Sequence, residues 1–329
     1  MRNTKLLLLI PIIIVIIFLI EMISRNPSSP QPSQFTFATP TTYPTLALTK
    51  QVGIPQILTN QANTSYEIDI SSLPFSLPAK INIYQVQSRE IPDSIIQNVL
   101  STFPALSKDT NQLSFVTTYH SEDKTQELLV TKSGYLTYTN SYTPPKGIEK
   151  SIITISQVDA YIADTIKKLG INPSDFRKGS ASFAISDGSH ASPTESFTEA
   201  DFIITPFTRV LDSNPVYFQG GTNDSLVIWL DKYGIIRKLT FQYAFIHGYE
   251  QTQPPSLATL QANTRKARVV NLDTSVRPTS LKTTSVRVAY LDDRETAFIQ
   301  PILIIDAEGV LPSQQETIPV IMYLPILSK

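Results

Sequence analysis

Hydrophobic positions along this chain form one solid block followed by short periodic segments. The block is Leu6–Ile20, LLLLIPIIIVIIFLI, an uninterrupted apolar run directly after MRNTK. As a helix, the run reaches roughly 22 Å at about 1.5 Å per residue, and roughly 27 Å if it continues through Met22 and Ile23. That approaches the ~30 Å hydrocarbon core of a bilayer. Glu21 then falls near the outer interface, where a carboxylate costs far less than at mid-bilayer. Pro11 is tolerated near the start of such a helix. Arg2, Lys5 and the amino terminus outweigh Arg25, itself offset by Glu21, which directs the N-terminus to the cytoplasm. The following residues, EMISRNP, offer no small-residue cleavage site, and the chain has no cysteine for a lipid anchor. The expectation is a cytoplasmic tail at 1–5 and an uncleaved anchor at 6–23.

Past the anchor the pattern breaks up. Residues 24–50 carry no charge between Arg25 and Lys50 and are punctuated by Pro27, Pro30, Pro32, Pro40 and Pro44. This composition predicts a semi-extended stalk and linker over 24–65. A strand is expected at Lys80–Gln87. In IPDSIIQNVLSTFP, Ile91, Ile95, Val99 and Phe103 recur every four positions, which predicts a helix. Pro92 suits its first position, Asp93 the positive end of its dipole, and Pro104 its stop. LSFVTTY alternates, with Leu113, Phe115 and Tyr119 on one face. A polar turn and the meander ELLVTKSGYLTYTN follow.

The second helix is read with Ser156 as N-cap and Asp159 three residues on. Val158, Ile162, Ile166 and Leu169 form its buried stripe, and Lys167, Lys168 and Gly170 close it. A polar loop is expected from Ser180 to Thr198. Strands then follow at Phe202–Thr208, Val216–Gln219, LVIWL and IIRKLTFQYAF, the last alternating through Leu239, Phe241, Tyr243 and Phe245. Ser256 caps a third helix bearing Leu257 and Leu260. The terminal strands are TSVRVAYL, AFIQPILII and TIPVIMYLPIL. The apolar runs 297–305 and 318–327 are too short to cross a bilayer as helices. The predicted fold is α+β: an N-terminal transmembrane helix, a stalk, then two lobes of antiparallel sheet, each packed with a helix. The first lobe is placed at 66–150 and the second at 151–329, the latter holding two helix-plus-meander modules.

Three segments share a form: 128–138, 227–239 and 303–311. Each is an apolar strand and a short polar turn ending in Gly134, Gly234 or Gly309, where a positive φ would suit a hairpin. Helix-then-hairpin units with an Asp-x-x-Gly turn resemble PepSY-type modules. With Val286–Leu291, Gln300-Pro301 and Tyr323-Leu324-Pro325, the order of the body is similar to the YycH/YycI-like membrane-anchored regulators of a WalK-type sensor histidine kinase. The resemblance spans residues 78–329 as a pattern. It implies a non-enzymatic protein that contacts a sensor kinase, and it supplies no site residues.

Composition narrows the function classes. The chain has 329 residues and a net charge of −1. Residues 1–25 hold Arg2, Lys5 and Arg25 against Glu21, a net of +2, which leaves −3 for the remainder. Without a basic patch, nucleic acid is not an expected partner. The absence of cysteine means that no disulfide or thiolate site exists.

Candidate chemistry is sparse. His120, His190 and His247 show no ligand spacing. Asp187-Gly188-Ser189-His190 sets the residue types of a hydrolytic triad side by side, but triads are assembled from residues distant in the chain. Ser121-Glu122-Asp123-Lys124 has S-x-x-K spacing without a companion K-T-G, and Asp292-Asp293-Arg294-Glu295 clusters carboxylates without the spacing of a Ca²⁺ loop. Both are read as turns. Tyr135, Tyr138 and Tyr142 suggest an adhesive surface. No catalytic, cofactor or metal residue is expected. The reading is an extracytoplasmic, single-pass, membrane-held protein that works by contact with another membrane or envelope protein. The alternatives are a structural or assembly factor of the envelope or a secretion system and, behind it, a cell-wall or peptide hydrolase.

Overall fold

The computed structural model describes residues 39–47, 66–110, 113–141, 152–186, 190–272, 276–312 and 317–327, with Val52, Pro55 and Ile57. The expected anchor at 6–23, Tyr142 and Asp187–Ser189 lie outside the described residues. No helix among the described residues is long and apolar enough to cross a membrane.

The fold is α+β and mostly strand. One sheet runs β2 (Ser107–Lys108), β3 (Val116–His120), β4 (Gln126–Thr131), β5 (Tyr135–Asn140), β12 (Ile236–Gln242), β11 (Leu226–Asp231) and β9 (Phe202–Leu211). Beyond β9 lie β6 (Phe176–Lys178) and β7 (Ser182–Ser186), with β8 (Ala191–Thr194) outside β7. The second sheet joins β13 (Phe245–Thr252), β1 (Ile81–Ser88), β16 (Phe298–Val310), β15 (Ser280–Asp292), β10 (Asn214–Phe218), β17 (Thr317–Pro325) and β14 (Arg268–Val269). All these pairings are antiparallel except β10 with β15. The chain crosses between the sheets at Arg89–Pro92, at the β9–β10 turn, back again at Gln219–Ser225 between β10 and β11, and at Tyr243–Ala244.

Sheet boundaries therefore do not fall at residue 150. β5 pairs along β12, Leu136 opposite Phe241, while β1 belongs to the second sheet with the terminal strands. The reason is hydrophobic. Helices α1 (Asp93–Thr102) and α2 (Ile155–Lys168) cover one face of the first sheet, and their Ile95, Val99, Val158, Ile162 and Ile166 share a core with Leu128, Leu136, Ile228 and Leu239. Burial of each such side chain contributes about 1.5–3 kcal/mol. The short α3 (Leu257–Ala262) adds only Leu260 to the second core, beside Leu303, Ile305 and Leu324.

Several local expectations shift. The α2 stripe is as read, but its cap is Thr154, which forms a reciprocal capping box with Gln157. Leu113 and Phe115 are exposed and precede β3, which begins at Val116. The expected loop at 180–198 contains the β7–β8 hairpin. The alternation through Phe245 breaks at Tyr243, because there the chain leaves one sheet for the other; Ala244 is buried and Phe245 exposed. Gly134 and Gly234 do sit in turns at positive φ. Gly309 instead lies within β16, opposite Leu281 and Ile318, so the third unit is not a hairpin closed at that glycine. A Cβ there would meet Pro278 Cγ at 2.8 Å and Val320 Cγ2 at 2.9 Å, so close packing rather than a turn accounts for its glycine.

Residues expected in the stalk are partly built onto the body. Thr45 forms a parallel bridge with Tyr249. Leu46 N donates to Tyr249 O at 2.7 Å, and Tyr249 N donates to Pro44 O at 3.0 Å. This strap satisfies the N–H and C=O of Tyr249 on the outer edge of β13, which would otherwise be open. Gly248 permits the approach: a Cβ would lie 2.5 Å from Pro44 O and 2.6 Å from Leu46 Cγ.

Candidate functional site

Where the two sheets meet, a cleft of about 710 Å³ opens between the strap, Tyr84 on β1, the Ser174–Lys178 segment and the β9–β10 turn. Its size falls within the range of small-molecule sites. Each wall has a local cause. Asn172 caps the short turn Pro173–Asp175 by accepting from Ser174 N at 3.2 Å. That turn aims Asp175 at the strap, where its two carboxylate oxygens accept from Thr41 N at 2.8 Å and Thr41 Oγ1 at 2.7 Å. Asn172 Nδ2 also donates to Thr41 Oγ1 at 3.1 Å. Arg209 on β9 donates to Tyr43 OH at 3.2 Å and to Ala244 O at 2.8 Å, tying strap, first sheet and crossover together.

The opposite wall is a two-residue hairpin turn with Asp212 at φ 48° and Ser213 at φ 65°. Such turns favour Asn-Gly, and each side-chain-bearing residue in this region costs roughly 1–3 kcal/mol. The Asp212 carboxylate offsets the strain by accepting from Tyr290 OH at 2.6 Å and Asn82 Nδ2 at 2.8 Å, which locks the turn to β15 and β1. Arg177 donates to Ser213 O at 2.8 Å from the other side. Burial is the leading cause that raises the Tyr84 and Tyr290 phenols far above the ordinary range, and Asp212 adds to it. Tyr84 packs edge-on to Tyr43 at 5.8 Å and Tyr290 at 5.3 Å, and tilts against Tyr249 at 5.7 Å.

Beside the cleft the crossover is pinned by ions. Asp292, 1% exposed, pairs with Arg89 at 2.7 Å and Arg294 at 3.4 Å. Arg294 also donates to Ser133 O and Tyr243 O and lies 4.6 Å over the Tyr135 ring. The segment Asp292–Glu295 is a turn, as expected, but a buried one. Asp293 Oδ1 accepts from Thr296 N at 2.9 Å and Thr296 Oγ1 at 2.8 Å.

The other sequence candidates stay apart. Ser121 and Asp123 close the β3–β4 turn, Ser121 Oγ donating at 2.6 Å. His120 Nε2 stands 3.8 Å from Asp109 and Glu127, while His190 and His247 are exposed. Among the described residues no three His, Asp or Glu side chains gather as a metal-binding group. Tyr138 belongs to the core, stacked on Phe103 at 3.8 Å, so the expected tyrosine surface is divided. Sequence reasoning missed Tyr43, Tyr84, Tyr249 and Asp212, because tertiary pairing alone brings them together. The available signal was Asp212-Ser213-Asn214 between two β-branched runs, a turn composition.

No protein-family model matches the chain, and no curated protein matches it. A crystal structure of an uncharacterized protein from Eubacterium rectale ATCC 33656 is similar at 8% identity over 75% of this chain and 82% of that one, with a TM-score of 0.46. A likeness of that degree carries no argument about function.

Proposed function

We propose that this chain is a membrane-anchored extracytoplasmic protein that acts by contact with another membrane or envelope protein, in the manner of the sensor-kinase regulators its sequence pattern resembles. The anchor is the Leu6–Ile20 run, with the cytoplasmic side set by Arg2 and Lys5. The observation that carries the reading is the docking of residues 44–46 on β13, with Thr41 tied to Asp175. Residues 24–40 then remain between the proposed anchor and Thr41, at most about 60 Å of chain. In this reading a strap built onto the sheet, rather than the full length of a stalk, joins the body to the anchor.

The buried carboxylates Asp231 and Asp292 are structural. Asp231 accepts Arg237 and the Tyr233 and Ile235 amides, closing the Asp-x-x-Gly turn. Asp292 joins two arginines across the sheets. Each such group binds chain to chain. Crosslinking in native membranes, followed by co-purification, tests the proposal. A reproducible membrane or envelope partner is expected; recovery of none would sink it.

A further inference from the structure

We infer that the cleft between the strap and the β9–β10 hairpin is a binding site for a neutral glycan, completed by docking of the strap. The inference is independent of the contact reading above.

Three features select the ligand class. The first is charge. The cleft carries Asp175 and Asp212 against Arg177 and Lys178, two of each sign. Every one is already engaged: Asp175 with Thr41, Asp212 with Tyr290 and Asn82, Arg177 with Ser213, and Lys178 with Asp159. A charged ligand would meet no net field and no available counter-ion. The second is the aromatic surface. Tyr43, Tyr249 and Phe176 are half-buried, so ring surface remains accessible beside the nearly buried Tyr84. Ring faces pack well against the C–H faces of a pyranose, and aromatic lining with a few fixed polar groups is the usual make-up of a small-molecule site. The third is the polar rim. Thr42 and Ser213 offer hydroxyls, and carboxylate oxygens beside them can accept further bonds from sugar hydroxyls.

A peptide fits less well. Extended peptides are commonly held by adding a strand to an open sheet edge, and here the β13 edge is already taken by Pro44–Leu46. The same fact couples the site to the strap. Tyr43 and Thr41 are held in the cleft by the docking of residues 44–46 over Gly248 together with the bonds of Arg209 to Tyr43 and of Asp175 to Thr41.

The test is calorimetric titration of the full-length protein in nanodiscs with chitotetraose, a linear tetramer of N-acetylglucosamine. Saturable binding is expected, weakened about tenfold or more by Tyr249→Ala through lost ring packing. Gly248→Val, which displaces Pro44–Leu46 and with them the strap's share of the rim, should weaken it comparably. Arg209→Gln, which releases Tyr43 from outside the cleft lining, gives a second route to the strap should the valine variant fail to fold, and Leu113→Ala, far from the cleft, should bind as the parent does. Absence of saturable binding in the parent overturns the inference. So does binding that Tyr249→Ala and the strap variants leave unchanged, or saturable binding of a neutral extended peptide in its place.

Discussion

Arg89 and Asp292, separated by 203 positions, meet at 2.7 Å across the junction of the two sheets. The Asp292 side chain is 2% exposed and that of Arg89 15%, so solvent screens the pair little. Removing one partner of a buried pair typically costs about 3–5 kcal/mol, because the other charge is left buried. Asp292→Ala strands both Arg89 and Arg294 and should lower the urea midpoint accordingly. Asp164 and Lys168, an exposed pair on α2, provide the contrast: Asp164→Ala should change stability by no more than about 0.5 kcal/mol.

Gln300 predicts a change of opposite sign. It is 1% exposed within β16, and neither atom of its amide has a hydrogen-bond partner among the described residues. A buried polar group without a partner costs about 1–3 kcal/mol. Gln300→Met, similar in shape, should therefore raise the melting temperature. A lower one would mean that the amide is satisfied in solution.

The tyrosines make the fold sensitive to alkali. Burial raises Tyr138 to about 12 and lifts Tyr84, Tyr290 and Tyr323 higher still. Unfolded tyrosines ionise near pH 10. The folded state binds these protons more tightly, so its stability advantage is complete below about pH 10 and lost as pH rises beyond it. The phenolate absorbance of these four tyrosines should appear only with the loss of the folded circular dichroism signal.

Gly248 gives independent access to the strap. Gly248→Val should make residues 39–47 the first site of limited proteolysis while the cores stay protected. Equal protection in parent and variant would mean that the strap contributes nothing to shielding the segment.

Much of the fold is legible from periodicity. The α2 stripe and the three terminal strands follow directly from it, because a buried face repeats every few residues regardless of what covers it. The cap of α2 moved from Ser156 to Thr154 since either residue type can cap, and only the reciprocal bond of Gln157 decides between them. Gly309 resembled Gly134 in sequence, yet Gly134 has φ 85° and Gly309 is packed against Pro278 and Val320. The Asp292–Glu295 turn was legible as a turn, but its burial depends on Arg89, remote in the chain. The cleft was not legible at all. Tyr43, Tyr84, Asp212 and Tyr249 belong to four segments that meet only through the docked strap and a crossover between sheets.

The central claim is that a membrane-held strap presents this body to a membrane or envelope partner, and site-specific photocrosslinking in native membranes tests it most directly. Photoreactive residues would replace exposed Thr42 beside the cleft and Ile16 in the apolar run, with the parent chain as the control. The account predicts a discrete crosslinked species containing a membrane or envelope protein, and membrane fractionation of the chain itself. A chain recovered free of the membrane, with no crosslinked species at either position, would contradict it.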